Sequence, residues 1–172
     1  MIPSRRHIWA NKERGNTMDN IVITIARQYG SGGKTVGQMV AEELGIPFYS
    51  RDILRMASED SGINEALFGE ADEKLKKVPF FKSSKAAYDG DLIPPESDDF
   101  VSDKNLFNYQ AKIIKQLADR ESCVIVGRCA DYVLRGRDSV INIFIHAPLL
   151  SRTERVKNEY GEKADNYKVD SL

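Results

Sequence analysis

Residues 21–35 read IVITIARQYGSGGKT, a β-branched run that leads into a glycine-rich segment. The run Ile21–Ala26 lacks helical spacing of its apolar residues, and this continuous pattern predicts a strand buried on both faces, as in a parallel sheet. Apolar residues then recur at helical spacing from Val36 to Leu44, so a helix is predicted to begin near Thr35 and to stop at Gly45. The sequence therefore predicts a strand, a glycine turn and a helix in direct succession.

The rest of the chain continues this alternation of strands and helices. Buried-strand patterns recur at Cys123–Val126 and Val140–Ala147, and Ile46–Tyr49 is a candidate second strand. Helices are predicted from about Asp52, near residues 64–77, from Asn105 to Arg120 and after Pro148. Alternating elements of this kind predict an α/β fold with a parallel sheet.

Two segments lie outside this alternation. Residues 62–103 hold several glycines, the pair Pro94-Pro95 and an acidic cluster, and they are predicted to form a mobile insert on the substrate side rather than sheet core. Residues 1–17 are basic and polar and have no apolar signal-peptide region. They are predicted to be a poorly ordered N-terminal extension, with a basic anchoring arm as the alternative. The domain itself is expected to span residues 18–172.

Composition narrows the classes of function. The chain has 172 residues and a formal net charge of -1, which argues against a general binder of nucleic acid or of anionic membranes. No apolar run in the sequence is long enough to span a bilayer. The two cysteines, Cys123 and Cys129, form neither a disulfide framework nor a metal-ligand pattern, and a cytoplasmic protein is expected. Small molecules are the expected partners, and the oligomeric state is left open.

The glycine-rich segment has the composition of a loop that binds phosphate. The residues Gly30-Ser31-Gly32-Gly33-Lys34-Thr35 lie between a predicted strand and a predicted helix, which is the context of a P-loop. Backbone N–H groups and the helix N-terminus would surround the phosphates. Lys34 would reach the β- and γ-phosphates, and Thr35 would bind Mg²⁺. Gln28 stands where the usual pattern has its first glycine. A glycine-rich turn with a solvated lysine is the alternative.

Three blocks of the sequence resemble the cytidylate kinase-like family of P-loop nucleoside monophosphate kinases. They read IARQYGSGGKTVGQMVAEELGIPFYSRDIL, CVIVGRCADYVLRG and INIFIHAPLLSRTERV, and they cover roughly residues 20–160 in the family's order. The resemblance implies a three-layer P-loop NTPase fold. It also implies that the loop binds ATP with Mg²⁺ as the donor, and that the region 46–130 binds an acceptor nucleotide.

The resemblance also indicates which residues meet the acceptor. Arg128 matches the family's arginine after the third strand, and its chemistry agrees, because a guanidinium at the carboxyl end of a strand can grip a phosphate in two places. A surface arginine in a turn is the alternative. Asp131 is suited to bind the acceptor's base or sugar, or to cap the following helix. Arg51, Asp52 and Arg55 are further candidates, and Asp52 is equally suited to be a helix N-cap.

Arg152 and Arg155 lie three residues apart and therefore on one helix face. The resemblance implies that this helix leads into a lid whose arginines neutralise charge on the transferred phosphoryl group. A solvated helix face is the alternative. The sequence departs from the family twice: Val126 stands where cytidylate kinases proper have an acidic residue, and only twelve residues follow Tyr160. The lid region is therefore short or incomplete in this sequence.

Together these observations predict a phosphotransferase that moves the γ-phosphoryl group of MgATP to a nucleoside monophosphate such as cytidylate. The predicted catalytic residues are Lys34, Arg128, Arg152 and Arg155. A P-loop kinase of another small metabolite is the nearest alternative, because the match is weakest in the acceptor region. A non-catalytic nucleotide-binding regulator is the alternative from another class. The departures from the family pattern favour a regulator, whereas the P-loop residues and Arg128 oppose it.

Overall fold

The computed structural model describes residues 20–76 and 91–161, so the predictions for residues 1–17, for part of the insert and for the C-terminal lid region lie outside the described residues. The strands are β1 (Val22–Arg27), β2 (Phe48–Tyr49), β3 (Cys123–Val126) and β4 (Val140–Ile145). The helices are α1 (Gly33–Leu44), α2 (Asp52–Ser61), α3 (Glu65–Lys76), α4 (Asp103–Arg120), α5 (Ala130–Val133) and α6 (Leu149–Tyr160). None of the helices in these two ranges combines the length and apolar character that crossing a membrane requires.

The four strands form one parallel sheet in the order β2-β3-β1-β4. Ile25 of β1 lies opposite Val126 of β3 and Ile143 of β4, so the carboxyl ends of these strands meet at one edge. β2 joins the same edge, because its Tyr49 lies opposite Ile125. In open parallel sheets this edge is where ligands bind. The predicted α/β fold with a parallel sheet is confirmed.

Helices cover both faces of the sheet, which gives three layers. Successive side chains of a strand point to opposite faces. Accordingly, Cys123 and Ile125 of β3 belong to the large core cluster with α2, α3 and α4, whereas Val124 and Val126 belong to a smaller cluster with α1. Burial raises the pKa of Cys123 to about 12, so this thiol stays protonated at neutral pH. The sheet is thus fixed from both sides, and its carboxyl edge is left to the loops.

Two details of the prediction are corrected by the structure. β4 forms as predicted, but its burial on both faces does not, since Ile141 and Phe144 are 51% and 61% exposed. The reason is that β4 is the edge strand among the described strands, and burial depends on neighbours that a strand's own sequence does not reveal. Asp52 is already the first residue of α2, and Arg51 is its N-cap residue. Asp52 therefore adds favourable negative charge to the first turn and is not the cap.

The insert contributes to the core in its described part. The predicted helix near residues 64–77 is confirmed as α3. Ile63, Phe68 and Ala71 are buried in the large cluster beside α2 and α4. The same cluster includes Ile125 of β3, so the prediction that this segment lies outside the sheet core is wrong for its described part. The mobility of the insert stays a prediction.

Candidate functional site

A glycine loop connects the end of β1 to the start of α1. Gly30 and Gly32 have φ angles of 75° and 82°, the left-handed region that side chains disfavour. Gly32 is the N-cap residue of α1, and the first turn of this helix contains no acidic residue. Its backbone N–H groups and the positive end of its dipole therefore favour an anion at the loop.

The helix α6 packs directly on this loop. A Cβ atom placed at Gly30 would lie 2.7 Å from the carbonyl oxygen of Arg152 and 2.9 Å from Cγ2 of Val156. Arg152 is only 6% exposed, and its Nη1 donates to the carbonyl oxygen of Tyr29 at 3.4 Å. Glycine at position 30 is thus required for contact between the loop backbone and the helix, and Arg152 supports the loop from inside.

Arg155 lies on the exposed side of the same contact. A Cβ atom at Gly32 would lie 3.2 Å from Cζ and 3.3 Å from Nη1 of Arg155. Its guanidinium is therefore at the loop, beside the start of α1. Arg152 and Arg155 both meet the glycine loop, one buried and one exposed.

Gln28 is accommodated without strain at the position where the usual pattern has glycine. Its backbone is not in the left-handed region, so a side chain is tolerated there. Its Oε1 accepts a hydrogen bond from the backbone N of Ala147 at 3.2 Å, and its own backbone N donates to the carbonyl oxygen of Ile145 at 3.0 Å. The glutamine thus fastens the loop to the connection between β4 and α6.

The loop region also contains buried polar atoms that protein groups leave unsatisfied. Within the described residues, Ser31 Oγ and Arg152 Nε are buried and have no hydrogen-bond partner. Buried polar groups are normally satisfied, so these atoms suit a site that a polar ligand or water completes. Lys34 and Thr35 are exposed in the first turn of α1. Together with the loop amides, they offer donors for phosphate oxygens and a hydroxyl for a metal ion.

A second unusual turn follows β3. Gly127, Arg128 and Cys129 have φ angles of 79°, 60° and 53°, so three consecutive residues adopt the left-handed conformation. For a residue with a side chain this conformation costs about 1–2 kcal/mol. Such strain often marks a functional position. Here it fixes the backbone of Arg128 at the carboxyl end of β3, and the side chain is half-buried.

The other predicted acceptor residues lie on the helices that follow β2 and the left-handed turn, and all of them are exposed. Arg51 and Asp52 are exposed at the junction of β2 and α2, and Asp131 is exposed in the first turn of α5, where Cys129 is the N-cap residue. The structure gives the side chain of Arg55 a partner within α2, because its Nη1 lies 2.6 Å from Oε1 of Glu59.

One cation at this edge was not predicted from the sequence. Arg27 ends β1, and its side chain lies against two glycines that are far apart in the chain. A Cβ atom at Gly33 would lie 2.6 Å from Cβ of Arg27, and one at Gly127 would lie 3.1 Å from its Cζ. The signal available in the sequence was a cation immediately before the glycine-rich segment.

Side chains also hold β2 in place. The hydroxyl of Tyr49 donates to Oε1 of Glu121 at 2.9 Å, and Nη2 of Arg120 donates to the same oxygen and to the Tyr49 hydroxyl. Hydrogen bonding from Arg120 holds the pKa of the Glu121 carboxyl below its ordinary value. Burial, together with the Glu121 carboxylate, raises the pKa of Tyr49.

A parallel sheet in this order, with a glycine loop between β1 and α1 and arginines at the carboxyl edge, defines a P-loop α/β domain. The chain belongs to the cytidylate kinase-like family, whose model matches residues 22–169. The resemblance found in the sequence is thereby confirmed.

Similar proteins support this assignment. The chain is 29% identical over 136 residues to a cytidylate kinase of Methanosarcina mazei. The matched residues make up 78% of this chain and 61% of that relative. It is 25% identical over 146 residues to a cytidylate kinase of Methanobrevibacter smithii, and here the matched residues make up 84% of this chain and 67% of the relative. Among solved structures, an uncharacterized protein from Eubacterium ventriosum matches with a TM-score of 0.52 and 26% identity, over 85% of this chain and 67% of the other.

Proposed function

We propose that this protein is a cytoplasmic phosphotransferase that moves the γ-phosphoryl group of MgATP to a nucleoside monophosphate, with cytidylate as the first candidate acceptor. One observation carries the proposal. The glycine loop at the N-terminus of α1 and the left-handed turn with Arg128 lie side by side, because they follow the adjacent strands β1 and β3. Membership of the cytidylate kinase-like family and the names of both curated relatives support it.

The donor would occupy the glycine loop. The loop amides and the start of α1 would bind the β- and γ-phosphates, and Lys34 and Arg155 would neutralise their charge. Thr35 would supply a hydroxyl to Mg²⁺, a metal that takes few protein ligands when phosphates and water complete its shell. The metal would neutralise negative charge on the phosphates. Arg152, which supports the loop from inside, would keep these donors in place.

The acceptor would bind beside the left-handed turn. The guanidinium of Arg128 would grip the acceptor phosphate, and Arg51, Asp52 and Asp131 are candidates for further contacts. Arg55 would first have to leave its ion pair with Glu59. A phosphate oxygen of the acceptor would then form a bond to the γ-phosphorus while the bond between that phosphorus and the β–γ bridging oxygen breaks. ADP and a nucleoside diphosphate are the products, with no covalent enzyme intermediate.

The experiment that tests this function is an acceptor screen with γ-labelled ATP and Mg²⁺. The panel contains the common ribonucleoside and deoxyribonucleoside monophosphates together with non-nucleotide hydroxyl acceptors. We expect the label in a nucleoside diphosphate, with cytidine monophosphates as the best acceptors. Label in a non-nucleotide product would indicate a kinase of another metabolite. ATP binding by calorimetry without transfer to any acceptor would indicate a nucleotide-binding regulator.

A further inference from the structure

The path of the Arg27 side chain crosses the carboxyl edge of the sheet. Its stem packs against Gly33, where a Cβ atom would lie 2.6 Å from Cβ and 2.9 Å from Cγ of Arg27. Its guanidinium lies against Gly127, where a Cβ atom would come within 3.1 Å of Cζ. Two residues without side chains, 94 positions apart, therefore provide the space that one arginine fills.

These two glycines belong to the two halves of the proposed site. Gly33 is the first residue of α1, beside the loop amides that would hold the donor. Gly127 begins the left-handed turn that carries Arg128, and its backbone N donates to the carbonyl oxygen of Ile25 in β1 at 3.0 Å. The Arg27 side chain thus spans from the loop proposed to bind the donor to the turn proposed to bind the acceptor phosphate.

Lys34 follows Gly33 but does not share its position. Gly37 lies one turn after Gly33 and faces the sheet, since a Cβ atom there would lie 2.7 Å from Cγ2 of Val126. Lys34 is rotated by about 100° from Gly33 around the helix axis. Arg27 extends along the sheet edge towards the acceptor turn, whereas Lys34 is exposed in the first turn of α1.

We propose that Arg27 is a catalytic residue whose guanidinium contacts the transferred phosphoryl group. This inference rests on the proposed function. The transition state of phosphoryl transfer spreads negative charge over the equatorial oxygens of the moving group. A planar, permanently charged fork suits those oxygens better than a single ammonium group does.

The test measures kcat, KM and ATP affinity for the full chain with MgATP and its best acceptor. We expect Arg27→Met to lower kcat by about 100-fold or more, as the loss of one preorganised donor to a transition state does. ATP affinity by calorimetry should change by less than about tenfold, because the contact strengthens in the transition state. Arg27→Lys should recover only part of the rate, because an ammonium lacks the fork.

Arg137→Met is the matched control. In the parent, the guanidinium of Arg137 pairs with Asp119 at 2.6 Å. The carbonyl oxygen of Asp119 accepts a hydrogen bond from Asn20, which precedes β1 at the amino edge of the sheet, opposite the proposed site. This control should keep kcat within about twofold, because the pair is partly exposed and lies at the opposite edge of the sheet. Thermal melting of every variant separates catalytic loss from unfolding, and Arg27→Lys carries the test if Arg27→Met does not fold.

The inference is overturned if Arg27→Met keeps kcat within about threefold of the parent or if only KM rises. If Arg27→Met does not fold, full activity of Arg27→Lys overturns it as well. In each case an active parent leaves the proposed function standing. A parent that transfers phosphate to no acceptor removes the proposed function and this inference together.

Discussion

The donor side and the acceptor side of the sheet edge are built by different means. On the donor side, the loop is held through its backbone: Gly30 touches α6, the carbonyl oxygen of Tyr29 accepts from Arg152, and the backbone N of Gln28 donates to the carbonyl oxygen of Ile145. On the acceptor side, apart from the turn after β3, the predicted contacts are exposed side chains at helix starts. Backbone contacts restrict which residues are allowed, whereas exposed side chains are exchangeable. The comparison indicates a donor site fixed by the fold and an acceptor site that sequence changes can retune.

The largest effect is expected at Gly30. Gly30→Ala adds a side chain at a left-handed φ of 75°, 2.7 Å from the Arg152 carbonyl oxygen. Backbone strain of this kind costs about 1–3 kcal/mol. With the clash added, the loop should shift and ATP affinity should fall by about 100-fold.

Gly45→Ala is the control for this change. Gly45 also has a left-handed φ, 65°, but nothing lies within 4 Å of an added Cβ atom. The Gly45→Ala variant should lose about 1–2 kcal/mol of folding stability and keep the ATP affinity of the parent. Calorimetry and thermal melting give both quantities, and unchanged ATP binding in Gly30→Ala would show that the donor side is not fixed by this contact.

The next effect separates the two sides. Arg128→Ala should lower kcat/KM for the acceptor by about 10- to 100-fold, since a bidentate charged contact is worth about 1.5–3 kcal/mol. ATP affinity should stay near that of the parent. Arg128→Lys should restore the rate only in part, because the fork is lost. Steady-state kinetics at varied acceptor concentration give kcat/KM, and calorimetry gives the ATP affinity. A parallel loss of ATP affinity would mean that the two sides are not independent.

A smaller effect concerns the glutamine in the loop. Gln28→Gly removes the acceptor of the Ala147 N–H bond and adds chain entropy to the unfolded state, so stability should fall by about 1–2 kcal/mol. Gln28→Met loses the same hydrogen bond but does not add chain entropy to the unfolded state, so its stability should fall by less. Urea unfolding gives both values. Tighter ATP binding in Gln28→Gly would contradict the role of Gln28 as an anchor of the donor side.

The smallest effect concerns the cluster that holds β2 on the acceptor side. The pKa of Glu121 is lowered in the folded protein, so its contribution is present above the unfolded-state pKa of about 4.3 and is lost as pH falls through the folded value. Because the Arg120 side chain is largely exposed, solvent screens its pair with Glu121 and the change should be small. Glu121→Gln should flatten this part of the stability–pH curve below about pH 5. If the stability–pH curves of the parent and of Glu121→Gln coincide, the side chains of Tyr49, Arg120 and Glu121 do not stabilise β2.

The sequence predicted the elements whose signals are local. The glycine loop, the β1–α1 succession and the buried pattern of β3 follow from residue spacing and backbone freedom, and the structure shows all three. The resemblance added the family. The side-chain roles proposed for Lys34 and Thr35 stay predictions, as do those for the acceptor residues.

Features that depend on distant neighbours were missed. The exposure of β4 depends on which strands lie beside it. The core role of Phe68 depends on α2 and α4, which its own segment does not reveal. The path of Arg27 depends on Gly127, a residue from the far half of the chain. Periodicity and local motifs carry no information about such contacts.

The left-handed turn at residues 127–129 has a consequence for directed evolution. Glycine at Cys129 would relieve backbone strain of about 1–2 kcal/mol. The same holds for Arg128, although glycine there removes the guanidinium. A library screened only for heat resistance would therefore enrich glycine at both positions and discard the proposed acceptor contact. Screening for turnover would keep Arg128 and allow Cys129 to change. Selection at these two adjacent codons distinguishes strain that serves the reaction from strain that merely accompanies it.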